Sequence, residues 1–138
     1  MTDDPIAPNN FGITPIHVAA DHKNTEVVKI LAPLTDNPNA PDKFGWTPIH
    51  CLAGNGHTEI VKILAPLTDN PNAPDEDGTT PIKMAACNGY TEIVKILAPL
   101  TDNPNAPDKW GNTPIHMAAQ NGHTEIVNIL EPLIDYPN

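Results

Sequence analysis

The sequence repeats itself at a fixed interval of 33 residues, and this period constrains the fold more than any other feature. The tripeptide Thr-Pro-Ile begins at Thr14, Thr47, Thr80 and Thr113. All 17 prolines, and seven of the eight glycines, fall into columns of the same period. A unit this short cannot bury an apolar face alone, so we expect a row of units, each packed on its neighbour.

Each unit contains the signals of a tight turn followed by two short helices. In the second unit, Gly45 can adopt the positive φ that such a turn needs. Thr47 is predicted to cap a first helix that begins at Pro48 and ends near Gly56, where glycine supplies a left-handed cap. Thr58 is predicted to cap the second helix.

The second helix carries a broad apolar stripe, which we expect to face the core. Its members are Ile60, Val61, Ile63, Leu64 and Leu67. Truncation of Ile63, or of Ile96 in the next unit, to alanine is predicted to cost about 2–5 kcal/mol. Pro66 has no N–H to donate to the Lys62 carbonyl, so the last turn of this helix is predicted to kink or unwind.

The unit resembles the ankyrin repeat. The pattern Asp-x-x-Gly-x-Thr-Pro-Ile-His, followed by Ala-Ala-x-Asn-Gly-His-x-Glu-Ile-Val, matches that family over the whole chain. The resemblance implies an all-α solenoid of four stacked helix-turn-helix repeats with projecting β-turns, in a single domain over residues 1–138. We place the repeats at approximately 10–42, 43–75, 76–108 and 109–138, with residues 1–9 as the tail of a preceding loop. The resemblance to the ankyrin family also implies that the chain recognises a protein through the concave face of the solenoid.

One departure from the family pattern concerns Lys83, which stands where the other units have His17, His50 and His116. The resemblance implies that these histidines bond their own threonine and nearby backbone. We expect the Lys83 amine to extend into water. Replacing Lys83 by histidine is then predicted to restore the bond to Thr80 and to stabilise the chain slightly.

The charge balance argues against nucleic acid as a partner. The chain has 7 basic and 17 acidic residues, a formal net charge of −10, and every basic residue is lysine. A phosphate backbone would be repelled, and the arginine that reads guanine is missing. No apolar run is long enough to span a membrane, and the N-terminus shows no secretory signal. We expect a cytoplasmic monomer.

No residue pattern indicates catalysis or a bound cofactor. The sequence lacks a Ser/His/Asp constellation, a phosphate-binding glycine loop and paired acids in a plausible cleft. Cys51 and Cys87 form no spacing typical of a disulfide framework or a metal site. The histidines recur because the repeat recurs, and no third ligand accompanies them. We therefore expect no enzyme activity, no metal and no cofactor.

Differences among the units are concentrated in a few columns, mainly in the turn and the first helix. Residues 58–75 and 91–108 are identical, so the scaffold was either duplicated recently or engineered. Positions that vary in so regular a scaffold are predicted to form the surface that contacts a partner. We name as protein-binding candidates Phe11, Ile13, Lys43, Phe44, Trp46, Gly54, Glu76, Asp77, Thr79, Lys83, Cys87, Lys109, Trp110, Asn112 and Gln120.

The aromatic members of this set are the strongest candidates, because exposed tryptophan is common in binding hot spots. The column of Trp46 also holds Asn112 and Thr79, which argues that Trp46 is not a core residue. Packing of each ring against the adjacent turn is the alternative. We expect Phe44, Trp46 and Trp110 to line one edge of the concave groove, with acidic residues between them. A second hypothesis is a designed or structural repeat scaffold that has no partner of its own.

Overall fold

The computed structural model describes residues 7–134, which form eight α-helices in four consecutive pairs. No strand occurs between residues 7 and 134, and the expected all-α solenoid of four repeats is confirmed. Residues 1–6 and 135–138, the outer ends of the predicted repeat array, lie outside the described residues. The helices are α1 Pro15–Asp21, α2 Thr25–Leu31, α3 Pro48–Asn55, α4 Thr58–Leu64, α5 Pro81–Asn88, α6 Thr91–Leu97, α7 Pro114–Gln120 and α8 Thr124–Leu130.

The first helix of each repeat begins as the sequence predicts. In α3, the Thr47 hydroxyl accepts a hydrogen bond from the His50 amide at 3.1 Å, and the Thr47 amide donates to His50 Nδ1 at 3.0 Å. The buried Asn39 side chain adds an acceptor for the Ile49 amide at 2.9 Å. These bonds satisfy amides that the helix itself leaves without partners.

The second helices begin differently from the prediction. Thr58 is the first helical residue rather than the cap, and the capping position His57 makes no side-chain bond to the helix. The Thr58 amide donates to the Gly56 carbonyl at 3.0 Å, and the Thr58 hydroxyl also turns back toward that carbonyl. The threonine therefore tightens the turn between the helices instead of capping the second one.

Pro66 ends the second helix of its repeat in the predicted way. After α4 the chain tightens into a 3₁₀ turn at Ala65–Leu67, which confirms the expected unwinding. The same turn follows the second helix in the other repeats, at Ala32–Leu34, Ala98–Leu100 and Glu131–Leu133.

The core is narrower than the predicted apolar stripe. Ile60, Val61 and Leu64 are fully buried between neighbouring repeats. Ile63 is only half-buried, because it lies at the edge of the stripe, and Leu67 is exposed on the 3₁₀ turn beyond the helix. The prediction that all five residues face the core was therefore wrong for these two.

The two layers of helices pack unequally from one repeat to the next. The first helices of adjacent repeats pack more extensively on one another than the second helices do. Small buried residues at these contacts, such as Ala53, Ala85 and Ala86, allow the close approach. The more closely packed layer of a curved stack lies on its inner side, so we assign the first helices to the concave side that the family resemblance implies.

Candidate protein-binding surface

A side-chain oxygen at the base of each turn, from Asn9 in the first repeat and from aspartate in the other three, fixes the backbone of the turn tip. In the second repeat, Asp42 Oδ1 accepts hydrogen bonds from the amides of Phe44 at 2.9 Å and Trp46 at 3.0 Å. Asp75 and Asp108 make the equivalent bonds in the next two repeats. The side chains at the tips therefore vary between repeats on a constant backbone.

Neighbouring turns are also joined to one another by backbone hydrogen bonds of 2.8–2.9 Å, which place the tips in one row. The glycine in the turn is required there, because Gly45 has a φ of +80° and a Cβ on it would lie 2.9 Å from Asp75 Cα. The bonds run from the Lys43 amide to the Phe11 carbonyl, from the Glu76 amide to the Phe44 carbonyl, and from the Lys109 amide to the Asp77 carbonyl.

The row of tips forms an exposed surface, which we call the turn-tip strip: Phe11, Lys43, Phe44, Glu76, Asp77, Lys109 and Trp110. At one end the Lys43 ammonium lies 4.6 Å from the centre of the Phe11 ring and 5.0 Å from that of Phe44. Both rings are more exposed than buried. One lysine thus holds two exposed aromatic rings in a defined arrangement.

At the other end, Trp110 is 65% exposed and lies under the Lys109 ammonium, 4.6 Å from the ring centre. The same ammonium is 2.7 Å from Asp77 Oδ1. The hydrogen bond that Lys109 donates to Asp77 raises the pKa of the ammonium group, so Lys109 stays charged near neutral pH. Asp77 is thereby neutralised locally, and the acidic centre expected from the sequence is reduced to Glu76.

Trp46 lies apart from the strip, in the concave groove. Its ring is half-buried and stacks on His50, with ring centres 4.9 Å apart and planes 21° apart. Together with Ile13 it lines a cavity of about 310 Å³ between the first and second repeats. The structure therefore divides the predicted aromatic edge into an exposed part, with Phe44 and Trp110, and a groove part with Trp46.

The remaining candidates of the second and third repeats lie further along the groove. Thr79, Lys83 and Cys87 line a smaller cavity of about 210 Å³ between the third and fourth repeats. Gly54 lies beneath Met84, whose methyl group occupies the place where a Cβ of residue 54 would lie. This residue supplies space for its neighbour rather than a contact for a partner.

Lys83 does not extend its amine into water, and that prediction was wrong. Its ammonium forms an ion pair with the buried carboxylate of Asp108 in the next turn. The bond from Lys83 lowers the pKa of Asp108. In other repeats a histidine makes the same connection, since His50 Nε2 lies 2.7 Å from the Thr79 carbonyl of the following turn. Lys83 thus joins two repeats by a different bond.

The fourth repeat contributes its candidates at the outer end of the described surface. Asn112 is exposed, and its amide donates to Asp108 Oδ1 at 2.9 Å. Gln120 is exposed at the last position of α7. Neither lines the cavities of about 310 and 210 Å³ that hold the other candidates.

Six residues that line the cavity between the first and second repeats were not named as binding candidates from the sequence: His17, Val18, Asp21, His22, Asp42 and Cys51. Val18 and Asp21 lie in columns that vary between repeats, so the variation itself was a signal. Asp42 stands in a column that holds aspartate in three repeats and reads as a turn residue. Its contribution to a cavity depends on how the turn folds over the helix.

The histidines at the repeat junctions are occupied by structural bonds. His50 Nδ1 accepts a hydrogen bond from the Thr47 amide, so the proton of the neutral ring is on Nε2. Nε2 donates this proton to the Thr79 carbonyl of the next turn. Burial lowers the pKa of His50. Between residues 7 and 134 no group of three or more His, Cys, Asp or Glu side chains is placed to hold a metal ion. No helix in that range is long and apolar enough to cross a membrane.

This arrangement of paired short helices, capped by Thr-Pro and joined by glycine turns, defines a helical repeat protein. The chain belongs to the ankyrin repeat family, since the family model described as ankyrin repeats (3 copies) matches residues 2–75 and 67–136. Ankyrin repeats are generally protein-interaction modules, and the family is typically non-enzymatic. No curated protein gives a significant match to the chain.

Proposed function

We propose that the chain is a non-enzymatic module that binds a protein partner through the turn-tip strip and the adjoining concave groove. The observation that carries this proposal is the set of exposed aromatic rings at Phe11, Phe44 and Trp110, held in place by two lysines. Exposed aromatic side chains are frequent among the residues that carry binding energy at protein interfaces.

The lysines favour this function in two ways. Each ammonium group lies against an aromatic face, so the ring is ordered before a partner arrives and loses less conformational freedom on binding. Lys43 and Lys109 also balance Glu76 and Asp77, which leaves the strip without net charge on an otherwise acidic protein. An uncharged strip of aromatic rings suits an apolar patch on the partner.

A repeat scaffold without a partner, designed or structural, is the second candidate. The identity of residues 58–75 and 91–108 favours it, because a scaffold selected only for its own folding needs no diversity. The two candidates differ in solution. A chain without a partner would leave its aromatic rings exposed and would associate with itself at high concentration, whereas we propose a monomer that binds a different protein.

Binding and stability measured on the same variants test the proposal. Trp110→Ala should weaken binding of a purified partner by about 30-fold or more, the usual loss for an aromatic anchor. Leu34→Ala is the matched control, because Leu34 is also 65% exposed but lies on a 3₁₀ turn away from the strip. Neither substitution should lower the melting temperature by more than a few degrees.

Trp46→Ala extends the test to the groove. It should also weaken binding, while its effect on stability should be about 2 kcal/mol, from the lost stacking on His50 and the lost contacts of a half-buried ring. The partner is obtained by capture on the immobilised chain and then purified for titration. If Trp110→Ala and Trp46→Ala both bind it as tightly as the parent, recognition lies on another face.

A further inference from the structure

We infer that the cavity between the first two repeats, here called the groove pocket, accepts an arginine side chain of the partner; this rests on the proposed binding function. The pocket has a volume of about 310 Å³. Ile13, Val18 and Trp46 give it apolar walls, and Asp21 and Asp42 add two carboxylates. His17, His22 and Cys51 complete the lining, and no lysine of the described residues belongs to it.

Both carboxylates lack a cationic partner, since neither takes part in an ion pair within residues 7–134. The Asp42 carboxylate is held in place by the hydrogen bonds that it accepts from two amides of the turn. Asp21 receives only a long contact from the Cys51 thiol, with Sγ 3.7 Å from Oδ1. Burial raises the pKa of Cys51, and the Asp21 charge adds to the rise, as expected for a pocket of negative potential. The nearby Lys43 is directed to the phenylalanine rings.

The shape and charge of the pocket favour arginine over other side chains. A guanidinium group is planar, so it can stack on the Trp46 indole, whose plane is fixed by His50, while its N–H groups bond a carboxylate. A lysine ammonium lacks this planar fork. A purely apolar anchor would cover Asp21 and Asp42 without offering them a hydrogen bond, which is costly.

The equivalent pocket between the third and fourth repeats has the opposite character. Thr79 replaces Ile13, Met84 replaces Val18, Cys87 replaces Asp21, and Lys83 is part of the lining. This cavity is smaller, about 210 Å³, and none of its lining residues is acidic. Between the second and third repeats, Met84 fills the space above Gly54. The chemistry suited to arginine therefore occurs at one position of the groove.

Selection from a randomised peptide library displayed on phage tests this inference. Peptides selected on the parent chain should share an arginine at one position. Peptides selected on Asp21→Asn should lose that preference, whereas Asp36→Asn, which removes the same charge from an exposed loop residue, should retain it. Asp21→Asn should fold normally, because sister repeats hold Gly54, Cys87 and Gln120 in this column.

A synthetic peptide from the selection gives the quantitative measurement. Replacing its shared arginine by alanine should weaken binding to the parent by about ten-fold or more, the effect expected for a hydrogen bond to a charged group. The same replacement should change binding to Asp21→Asn much less. The two-dimensional NMR signal of the Trp46 indole N–H should shift on binding the arginine peptide and shift less with the alanine peptide.

Three results would overturn the inference, and they can be distinguished from one another. Peptides that bind tightly but carry an apolar residue, or no fixed residue, at the pocket would refute the arginine assignment and leave the proposed binding function intact. A parent chain that selects no peptide and captures no protein would refute both. Equal arginine preference in the parent and Asp21→Asn would place the arginine elsewhere on the surface.

Discussion

Truncation of Ile93 to alanine tests whether contacts between repeats carry the stability of the chain. Ile93 lies in α6, is 0% exposed and belongs to the continuous core that joins the repeats. The substitution removes Cγ1, Cγ2 and Cδ1. At about 0.8 kcal/mol per buried carbon, the lost transfer free energy is about 2.4 kcal/mol. The cavity left behind raises the expected loss to about 3–4 kcal/mol.

The same substitution at two other positions of the second helices provides a graded control. Ile30 in α2 is 63% exposed, so Ile30→Ala should change the free energy of unfolding by less than about 0.5 kcal/mol. Ile96 in α6 is half-buried against the core, and Ile96→Ala should cost about 1–2 kcal/mol. This value replaces the larger loss that the sequence alone predicted for this position.

Urea unfolding followed by far-ultraviolet circular dichroism measures all three variants under the same conditions. The free energy of unfolding should fall in the order of burial, with Ile93→Ala least stable and Ile30→Ala close to the parent. The slope of the free energy of unfolding against urea concentration should remain similar, because the surface exposed on unfolding hardly changes. Equal losses for Ile93→Ala and Ile30→Ala would refute the conclusion that stacking between repeats stabilises the fold.

Three further predictions follow from single contacts. In thermal unfolding, Gly45→Ala should lower the melting temperature of the chain more than Gly111→Ala does. Both glycines have a positive φ, which strains an alanine by about 1–3 kcal/mol, but of the two only Gly45 lies against the backbone of the next turn. Lys83→Met should lower the melting temperature by removing the bond to Asp108. Lys83→His should recover most of the lost melting temperature, because a histidine there can bond the next turn as His50 does. Equal melting temperatures for the parent and Lys83→Met would contradict this. Burial lowers the pKa of His50 in the folded chain, so as the pH falls the histidine is protonated in the unfolded chain first. The free energy of unfolding should therefore be highest above pH about 6.5 and should decrease below that pH. Urea titrations on either side of that pH would detect the loss, and an unchanged value would exclude the contribution.

The parts of the fold that depend on neighbours in sequence could be predicted from the sequence. Thr47 and Pro48 specify a helix start because the cap and the fixed proline φ act within a single turn. Pro66 specifies the end of the second helix for the same reason. The error at Thr58 is also local in origin, since threonine can bond backward to the Gly56 carbonyl as well as forward to a helix amide.

The surface was harder to predict, because it depends on how one repeat lies on the next. The partner of Lys83 is Asp108, 25 residues away, and only the stacking of repeats brings them together. Phe44 and Trp46 are two residues apart, yet one ring lies on the strip and the other in the groove. Comparing the repeats with one another identified these columns as variable, but the direction of each side chain is set by the turn.

The separation of a constant scaffold from variable side chains has a consequence for how a partner would align. A partner arginine in the groove pocket meets Asp21 and Trp46 in only one register. A shift by one repeat would place it at Gly54, where Met84 fills the space. A shift by two would place it in the smaller cavity beside Lys83, where no lining residue is acidic and the nearby Asp108 carboxylate is already paired. A chain of nearly identical units can therefore select a single binding register, because discrimination needs the wrong positions to be unfavourable as well as the right one to be favourable.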